Sequence, residues 1–225
     1  MKRLDLLVSL VNEGKIVADI GTDHGITAIE IYEKKKPKKV IATDISENSL
    51  QKLRDKLKIN KYDIKTIVTD GIYSLTEFNV EEIIISGMGG YLISEIIDRG
   101  MEVAKNAEKL ILQANNSLDW LRRYLHNNGF EIEDEKMCFD EGIYYFVIIT
   151  KYTGNTYLYE KDVYYEYGYN NVKMKNEIFI NFLNSKIDEL KGILINLESL
   201  STKSAMERKD ELKKEINKIE EIKCL

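Results

Sequence analysis

In the first half of this chain, acidic residues and glycines recur where apolar runs end. Asp19 lies in Val17-Ala18-Asp19-Ile20-Gly21-Thr22-Asp23-His24-Gly25, Asp44 closes the run Lys39 to Thr43, and Asp70-Gly71 follows Ile64 to Thr69. Gly87-Met88-Gly89-Gly90 follows Glu82 to Ser86. An apolar run, a glycine turn and a helical pattern in that order hold a nucleotide-like ligand, because glycine lets the chain turn sharply and the ligand approach the backbone. The usual ligand is a pyrophosphate on a helix N-terminus. Asp19 and Asp23 oppose that choice. Like charges about 4 Å apart near a protein surface repel by about 4 kcal/mol at an effective dielectric near 20. S-adenosylmethionine, which carries an ammonium and a sulfonium and no phosphate, suits this turn better.

Each strand-end residue has a ligand reading and a plainer one. Asp19, Gly21, Thr22, His24 and Gly25 frame the cofactor turn, although His24 can also serve only to start a helix. The Asp44 carboxylate can accept both ribose hydroxyls, with Ile45 covering the adenine ring, or Asp44 can cap the next helix. Asp70, beside Gly71, can accept from the adenine amino group or simply occupy a turn. Met88 can pack on adenine or the methyl donor while Gly89 lets a substrate base approach, or the glycines can mark a loose helix start.

The elements that must position these residues are legible as periodicities. Strands are expected over 16–20, 39–43, 64–69, 82–86 and 109–113, and helices over 2–12, 24–34, 46–59, 91–104 and 117–127. Two further strands, 130–137 and 143–151, join at Asp140-Glu141-Gly142. Alternating strands and helices predict an α/β fold with a mostly parallel, Rossmann-like sheet. The closing strand pair resembles the methyltransferase version of such a sheet, in which the last strand inserts antiparallel. Residues 1–152 form this domain and 153–225 a second, helical one. In the latter, Ile180, Leu183, Ile187, Leu190, Leu194 and Leu197 mark a coiled-coil seam. Ser199 to Lys203 breaks it, and Ala205, Leu212, Ile216 and Ile219 continue on a second helix, making a hairpin.

Composition narrows the function classes. The chain has 225 residues, 44% hydrophobic, enough for a real core. No apolar run approaches a membrane span, and the N-terminus lacks a signal-peptide core. Two distant cysteines and two histidines exclude a disulfide framework and a multi-histidine metal site, and fit a reduced, cytoplasmic setting. A net charge of −5 does not advertise nucleic acid. The basic run Lys34-Lys35-Lys36-Pro37-Lys38-Lys39 falls at the amino-terminal edge of the sheet, opposite the ligand edge.

Together, Asp19-Ile20-Gly21-Thr22-Asp23-His24, Ala42-Thr43-Asp44, Asp70-Gly71, Gly87-Met88-Gly89-Gly90, Leu110-Ile111-Leu112-Gln113 and Tyr144-Tyr145 resemble the bacterial tRNA adenine-22 N1-methyltransferase family, TrmK. The likeness covers residues 2–150 in order, and the C-terminal hairpin also resembles that family. One departure is Gln113-Ala114-Asn115 where the family has Gln-Pro-Asn, which loses the stiffening of a fixed φ. The resemblance implies S-adenosylmethionine as methyl donor and tRNA as substrate. No metal and no membrane partner is expected, and the enzyme is expected to be a monomer. Adenine N1 attacks through its own lone pair, so positioning outweighs base catalysis. Asp23, Gln113 and Asn115 are the candidates to orient the base or meet its developing positive charge, though Asp23 can equally bind only the cofactor ammonium. Lys2, Arg3, Arg122 and Arg123 are the candidate tRNA contacts. Tyr144, with Tyr91 and Tyr145, can stack on the base or pack in the core. Lys203, Arg208, Lys209 and Lys213 form either a basic stripe or an ordinary solvated face. Two rival readings stand beside this one: a methyltransferase for another RNA or a small molecule, and a non-catalytic RNA-binding relic.

Overall fold

Seven strands form one sheet in the computed structural model, which describes residues 1–200 and 202–224. They are β1 (Ile16–Ile20), β2 (Lys39–Asp44), β3 (Ile64–Val68), β4 (Glu82–Met88), β5 (Lys109–Ala114), β6 (Phe130–Asp140) and β7 (Ile143–Tyr152). The order is β3-β2-β1-β4-β5-β7-β6, with β1 to β5 parallel and β7 antiparallel to both β5 and β6. The order reverses at β1 and β4, and Ile20 stands in register with both Thr43 and Ile85. The carboxyl ends of β1, β2 and β4 therefore meet at one rim, where open α/β sheets bind ligands.

The strands read as continuous apolar runs because both faces are covered. Alternate side chains enter opposite cores: Ala18, Ile83 and Ile85 pack with Ile93, Ile97 and Leu121 on one face. Val17, Val40 and Ile84 pack with Leu7, Ile31 and Leu50 on the other. Each buried Val, Leu or Ile side chain here stabilises the fold by about 1.5–3 kcal/mol. The covering helices are α1 (Arg3–Ser9), α2 (Ile26–Lys35), α3 (Glu47–Asn60), α4 (Gly90–Arg99), α5 (Met101–Asn106) and α6 (Leu118–Asn127). Ser46 caps α3 by accepting from the Ser49 N–H at 3.2 Å. The β6–β7 turn puts Glu141 and Gly142 at φ 48° and 84°, the left-handed pair of a two-residue hairpin.

Two helices differ from expectation. The segment 91–104 is not one helix but α4 and α5, broken at Gly100, where a Cβ would lie 2.2 Å from Ile72 Cγ1. The expected helix at His24 starts at Ile26, because Asp23, His24 and Gly25 all adopt positive φ. A short 3-10 segment, Tyr73–Phe78, was not foreseen. At the amino-terminal edge, Lys34 pairs with Asp5 at 3.6 Å and Lys38 with Glu81 at 3.4 Å, so two of the run's five lysines are paired locally.

The chain divides into two units, Met1–Glu160 and Lys161–Leu225. Residues 153–160 stay with the first, where the Tyr157 hydroxyl donates to Glu131 at 3.2 Å. The second contains α7 (Asp162–Tyr167), α8 (Tyr169–Met174), α9 (Glu177–Leu197) and α10 (Lys203–Cys224). Its buried seam is Phe179, Leu183, Ile187 and Leu190 on α9 with Ala205, Leu212, Ile219 and Ile222 on α10. Phe179 thus takes the place expected for Ile180, and Leu194 and Leu197 are only half-buried. Ser201, inside the expected break, lies outside the described residues.

Candidate active site

The carboxyl ends of β1 to β4 enclose a cleft of about 810 Å³. Its first wall is the β1 turn. Asp19 is buried and accepts from the Thr22 hydroxyl, while the Thr22 N–H donates to the Thr43 carbonyl at 2.8 Å, tying the turn to β2. Burial pushes the Asp19 carboxyl up to about 6; hydrogen bonds from Thr22 and the Ala28 backbone act the other way. Gly21 has φ 68°, and a Cβ there would meet Met88 Cε at 2.2 Å. The positive φ favours glycine, and the missing Cβ leaves room for the tip of the Met88 side chain.

Asp44 joins the second wall to the first. One oxygen accepts from the Ser46 N–H at 2.7 Å and the other from the Asp23 N–H at 3.3 Å. Each oxygen keeps a lone pair, so Asp44 can still accept a ribose diol while it organises the backbone, but it does not cap α3, a role taken by Ser46. Ile45 beside it is 75% exposed, an apolar lid at the cleft. Asp70 and Gly71 also line the cleft, and Asp70 accepts from Arg99 Nη1 at 2.6 Å. Hydrogen bonds from Tyr73 and Arg99 hold the Asp70 carboxyl below its ordinary value.

The third wall is a polar network between β4 and β5. Gln113 is fully buried; its Oε1 accepts from the Gly87 N–H at 3.0 Å and from Arg3 Nη1 at 3.1 Å. Its amide donates to Asn115 Oδ1 at 2.9 Å, and Asn115 Nδ2 donates to the Gly87 carbonyl at 2.8 Å. Arg3 lines the cleft, anchored by its N–H on Asp140 at 2.9 Å and with its guanidinium 5.2 Å from the Tyr145 ring centroid.

Asp19, Gly21, Thr22, Asp23, Asp44, Ile45, Asp70, Gly71, Met88, Arg3 and Asn115 converge on this cleft. Other candidates take different roles. Gln113 does not face the ligand space but orients Asn115 and Arg3. Gly25 packs, since a Cβ would lie 2.2 Å from Leu53 Cδ1. Gly89 seats the β4 loop against Asn116, whose Oδ1 a Cβ would approach to 2.9 Å. The carbonyl of His24 accepts from Lys56 Nζ at 3.2 Å, and its ring Nε2 lies 3.6 Å from Asp23 Oδ1, so it supports the turn from behind. Arg122 corrects an expectation outright: it is fully buried, with Nε 2.7 Å from Glu135 Oε1, and cannot meet a phosphate. Arg123 is half-buried beside it, and Lys2 is exposed but outside the cleft lining. Tyr144 packs on Phe139 at 4.6 Å at the hairpin tip.

Thr69, Leu92, Ile96 and Arg99 line the cleft without having been anticipated. Leu92 and Ile96 share the i, i+4 spacing of any amphipathic helix, so no local signal separated them from core residues. Thr69 adjoins Asp70 and keeps a buried hydroxyl without a partner, and that adjacency was the available clue.

The residues present fit S-adenosylmethionine. Four carboxylates against two guanidiniums, Arg3 and Arg99, leave the cleft acidic; with a glycine cradle closed by Met88 and an apolar lid it suits a cationic nucleoside better than a pyrophosphate. A doubly wound sheet closed by an antiparallel pair, with this acidic cleft at its switch point, defines the Rossmann-like class of S-adenosylmethionine-dependent methyltransferases. The chain belongs to the methyltransferase domain family, whose model matches residues 1–148. The tRNA (adenine(22)-N(1))-methyltransferase of Bacillus subtilis is 27% identical over 67% of this chain and 64% of its own length, so the match spans less than two thirds of that relative. A Mycoplasma genitalium protein provisionally named a tRNA methyltransferase is 31% identical over 67% of this chain and 69% of its own. The crystal structure of Streptococcus pneumoniae Sp1610 in complex with S-adenosyl-L-methionine is 29% identical, with a TM-score of 0.83 over 99% of both chains. Among the described residues no helix is long and apolar enough to cross a membrane, and no His, Cys, Asp or Glu group is arranged to hold a metal.

Proposed function

We propose that this protein transfers the methyl group of S-adenosylmethionine to N1 of adenine 22 in tRNA. The observation that carries this is the acidic, glycine-framed cleft with the exposed amide of Asn115 at its lining. The relatives named above supply the substrate.

S-adenosylmethionine supplies an electrophilic methyl carried on a sulfonium. Asp44 binds the ribose through its spare lone pairs, and Ile45 covers the nucleoside ring. Asp19, ionised at neutral pH, and Asp23 balance the positive end of the cofactor. Adenine N1 bears no proton, so no residue need act as a strong base. The chain's work is positioning, which can supply roughly 7–11 kcal/mol of the barrier. Gln113 spends one donor on Asn115 Oδ1 and so fixes how that amide faces the cleft. The Oδ1 of Asn115 keeps a second lone pair for the adenine amino group. That amino group becomes a stronger donor as N1 turns cationic, so the contact strengthens toward the transition state. Two free thiols, Cys138 and Cys224, support a reducing, cytoplasmic site of action.

The test uses labelled S-adenosylmethionine, unmodified tRNA and mass spectrometry of the digested product. The expected result is 1-methyladenosine at position 22, absent when the tRNA carries guanine there. Cofactor binding with no methylation of that base would overturn the assignment.

A further inference from the structure

Beside the cleft, the carboxyl rim carries an aromatic pair that the mechanism does not use. Tyr91 stands in the first turn of α4 and Trp120 in the first turn of α6, with ring centroids 5.0 Å apart and planes tilted by 37°. Tyr91 is 55% exposed and Trp120 44%. Neither lines the cofactor cleft, although Leu92, the next residue, does. The pair is held in place from below. Gly90 donates to the Asn116 carbonyl at 3.1 Å, and a Cβ on Gly90 would lie 2.3 Å from the Ser117 carbonyl oxygen, so only glycine lets the two helix starts meet. Trp120 Nε1 donates to Ser94 Oγ at 3.3 Å, and that hydroxyl donates to the Tyr91 carbonyl at 2.7 Å.

We propose that Tyr91 and Trp120 form a stacking platform for a nucleobase adjacent to the methylated adenine. The proposal rests on the tRNA reading above. An adenine presented by its pairing edge must leave its stack, which also strips its neighbours of a stacking partner. A rigid pair of half-exposed rings at the cleft mouth replaces that partner. Aromatic side chains stack any base, because every base has a π face. The exposed Asp119 and Glu95 on the same two helices repel phosphate, so this surface receives the ring of a nucleotide and not its backbone. A fixed platform of this kind restricts which turned-out geometry reaches Asn115, and so acts in substrate positioning.

Trp120 is the single tryptophan of the chain, so its emission reports the site directly. The full-length protein, saturated with S-adenosylhomocysteine, is titrated with unmodified tRNA. A second tRNA carries abasic residues on either side of adenine 22. Saturable quenching of Trp120 is expected with the first tRNA and is lost with the second. Tyr91→Ala weakens tRNA binding by about 5- to 100-fold, the range for losing one stacked base. Its affinity for S-adenosylhomocysteine is unchanged, which shows an intact fold. Tyr91→Phe restores binding, whereas Tyr91→Leu, apolar but without a π face, does not. The abasic tRNA costs the wild type the same factor and costs Tyr91→Ala nothing more. Unquenched Trp120, or Tyr91→Leu binding as well as Tyr91→Phe, overturns the platform. Methylation by the wild type with Tyr91→Ala at full kcat/KM removes the platform alone. No methylation by the wild type removes the tRNA function, while base-dependent quenching still decides the platform.

Discussion

Asp19→Asn uncouples the β1 turn from pH. In the folded protein burial raises the Asp19 carboxyl from 3.8 to about 6, so between those values the folded state binds more protons than the unfolded chain. The stability this group contributes is complete below pH 3.8, falls as pH rises, and is gone above about pH 6. At 1.36 kcal/mol per pH unit, the total is about 3 kcal/mol. Asparagine keeps the size of the side chain and the acceptor for the Thr22 hydroxyl, and does not titrate. Urea denaturation of both proteins from about pH 4 to 8 is the assay. The advantage of Asp19→Asn over the wild type grows by about 3 kcal/mol across this window and then levels off; groups titrating in both proteins cancel. Cofactor binding moves the opposite way. Wild-type affinity for S-adenosylmethionine falls about tenfold per pH unit below 6 as the carboxylate is protonated, while the variant shows no such fall. Parallel stability profiles would refute the buried, raised carboxyl. A wild-type affinity flat between about pH 5 and 7 would refute its role in holding the positive end of the cofactor.

Asp44→Ala removes the acceptor for the Ser46 and Asp23 N–H groups along with the diol site, and weakens S-adenosylhomocysteine binding about 100-fold or more by calorimetry, since hydrogen bonds to a charged group are worth about 1.5–3 kcal/mol each. Gly90→Ala forces a methyl against the Ser117 carbonyl and lowers stability by about 1–3 kcal/mol in a thermal melt. Arg122→Ala leaves Glu135 buried without its guanidinium and costs about 3–5 kcal/mol on denaturation, yet leaves the tRNA affinity of the folded fraction unchanged. His126 lies under Tyr159, with ring centroids 4.5 Å apart, and burial lowers its pKa from 6.5 to about 4. Its stabilising contribution is present above pH 6.5 and is lost as pH falls toward 4; His126→Gln flattens that acid limb of the stability curve.

The mouth of the cleft depends on two strands that end together and on what links them. The β4–β5 network ties Gly87, Gln113, Asn115 and Arg3 across three elements. Ala114, standing where the family has proline, ends β5 at a buried position in register with Met88. The strand pairing and the Asn115 N–H bond to the Met88 carbonyl at 2.8 Å hold this loop, and they stand in for the missing ring constraint.

Alternation of apolar runs with helical patterns was enough to read the parallel sheet and the strand-end placement of Asp19, Asp44, Asp70 and Met88; the antiparallel last strand came from the likeness to methyltransferase sheets. Strand and helix periodicities are local, and a parallel sheet brings every carboxyl end to the same rim. Side-chain direction and pairing belong to the tertiary structure alone. Arg122 and Arg123 are neighbours of the same type, yet only packing against β6 decided that Arg122 is consumed by Glu135. Gln113 and Asn115 looked equivalent in sequence; Gln113 lies within β5 and is buried in the polar network, whereas Asn115 falls just past the strand's end and is left exposed at the cleft. Position 100 must be glycine because Ile72, 28 residues away, fills the space of a Cβ, and no window of neighbouring residues contains that contact. Chemistry that follows from residue type and local period is written in the chain, whereas which of two like residues faces the ligand is settled only when distant elements close on one another.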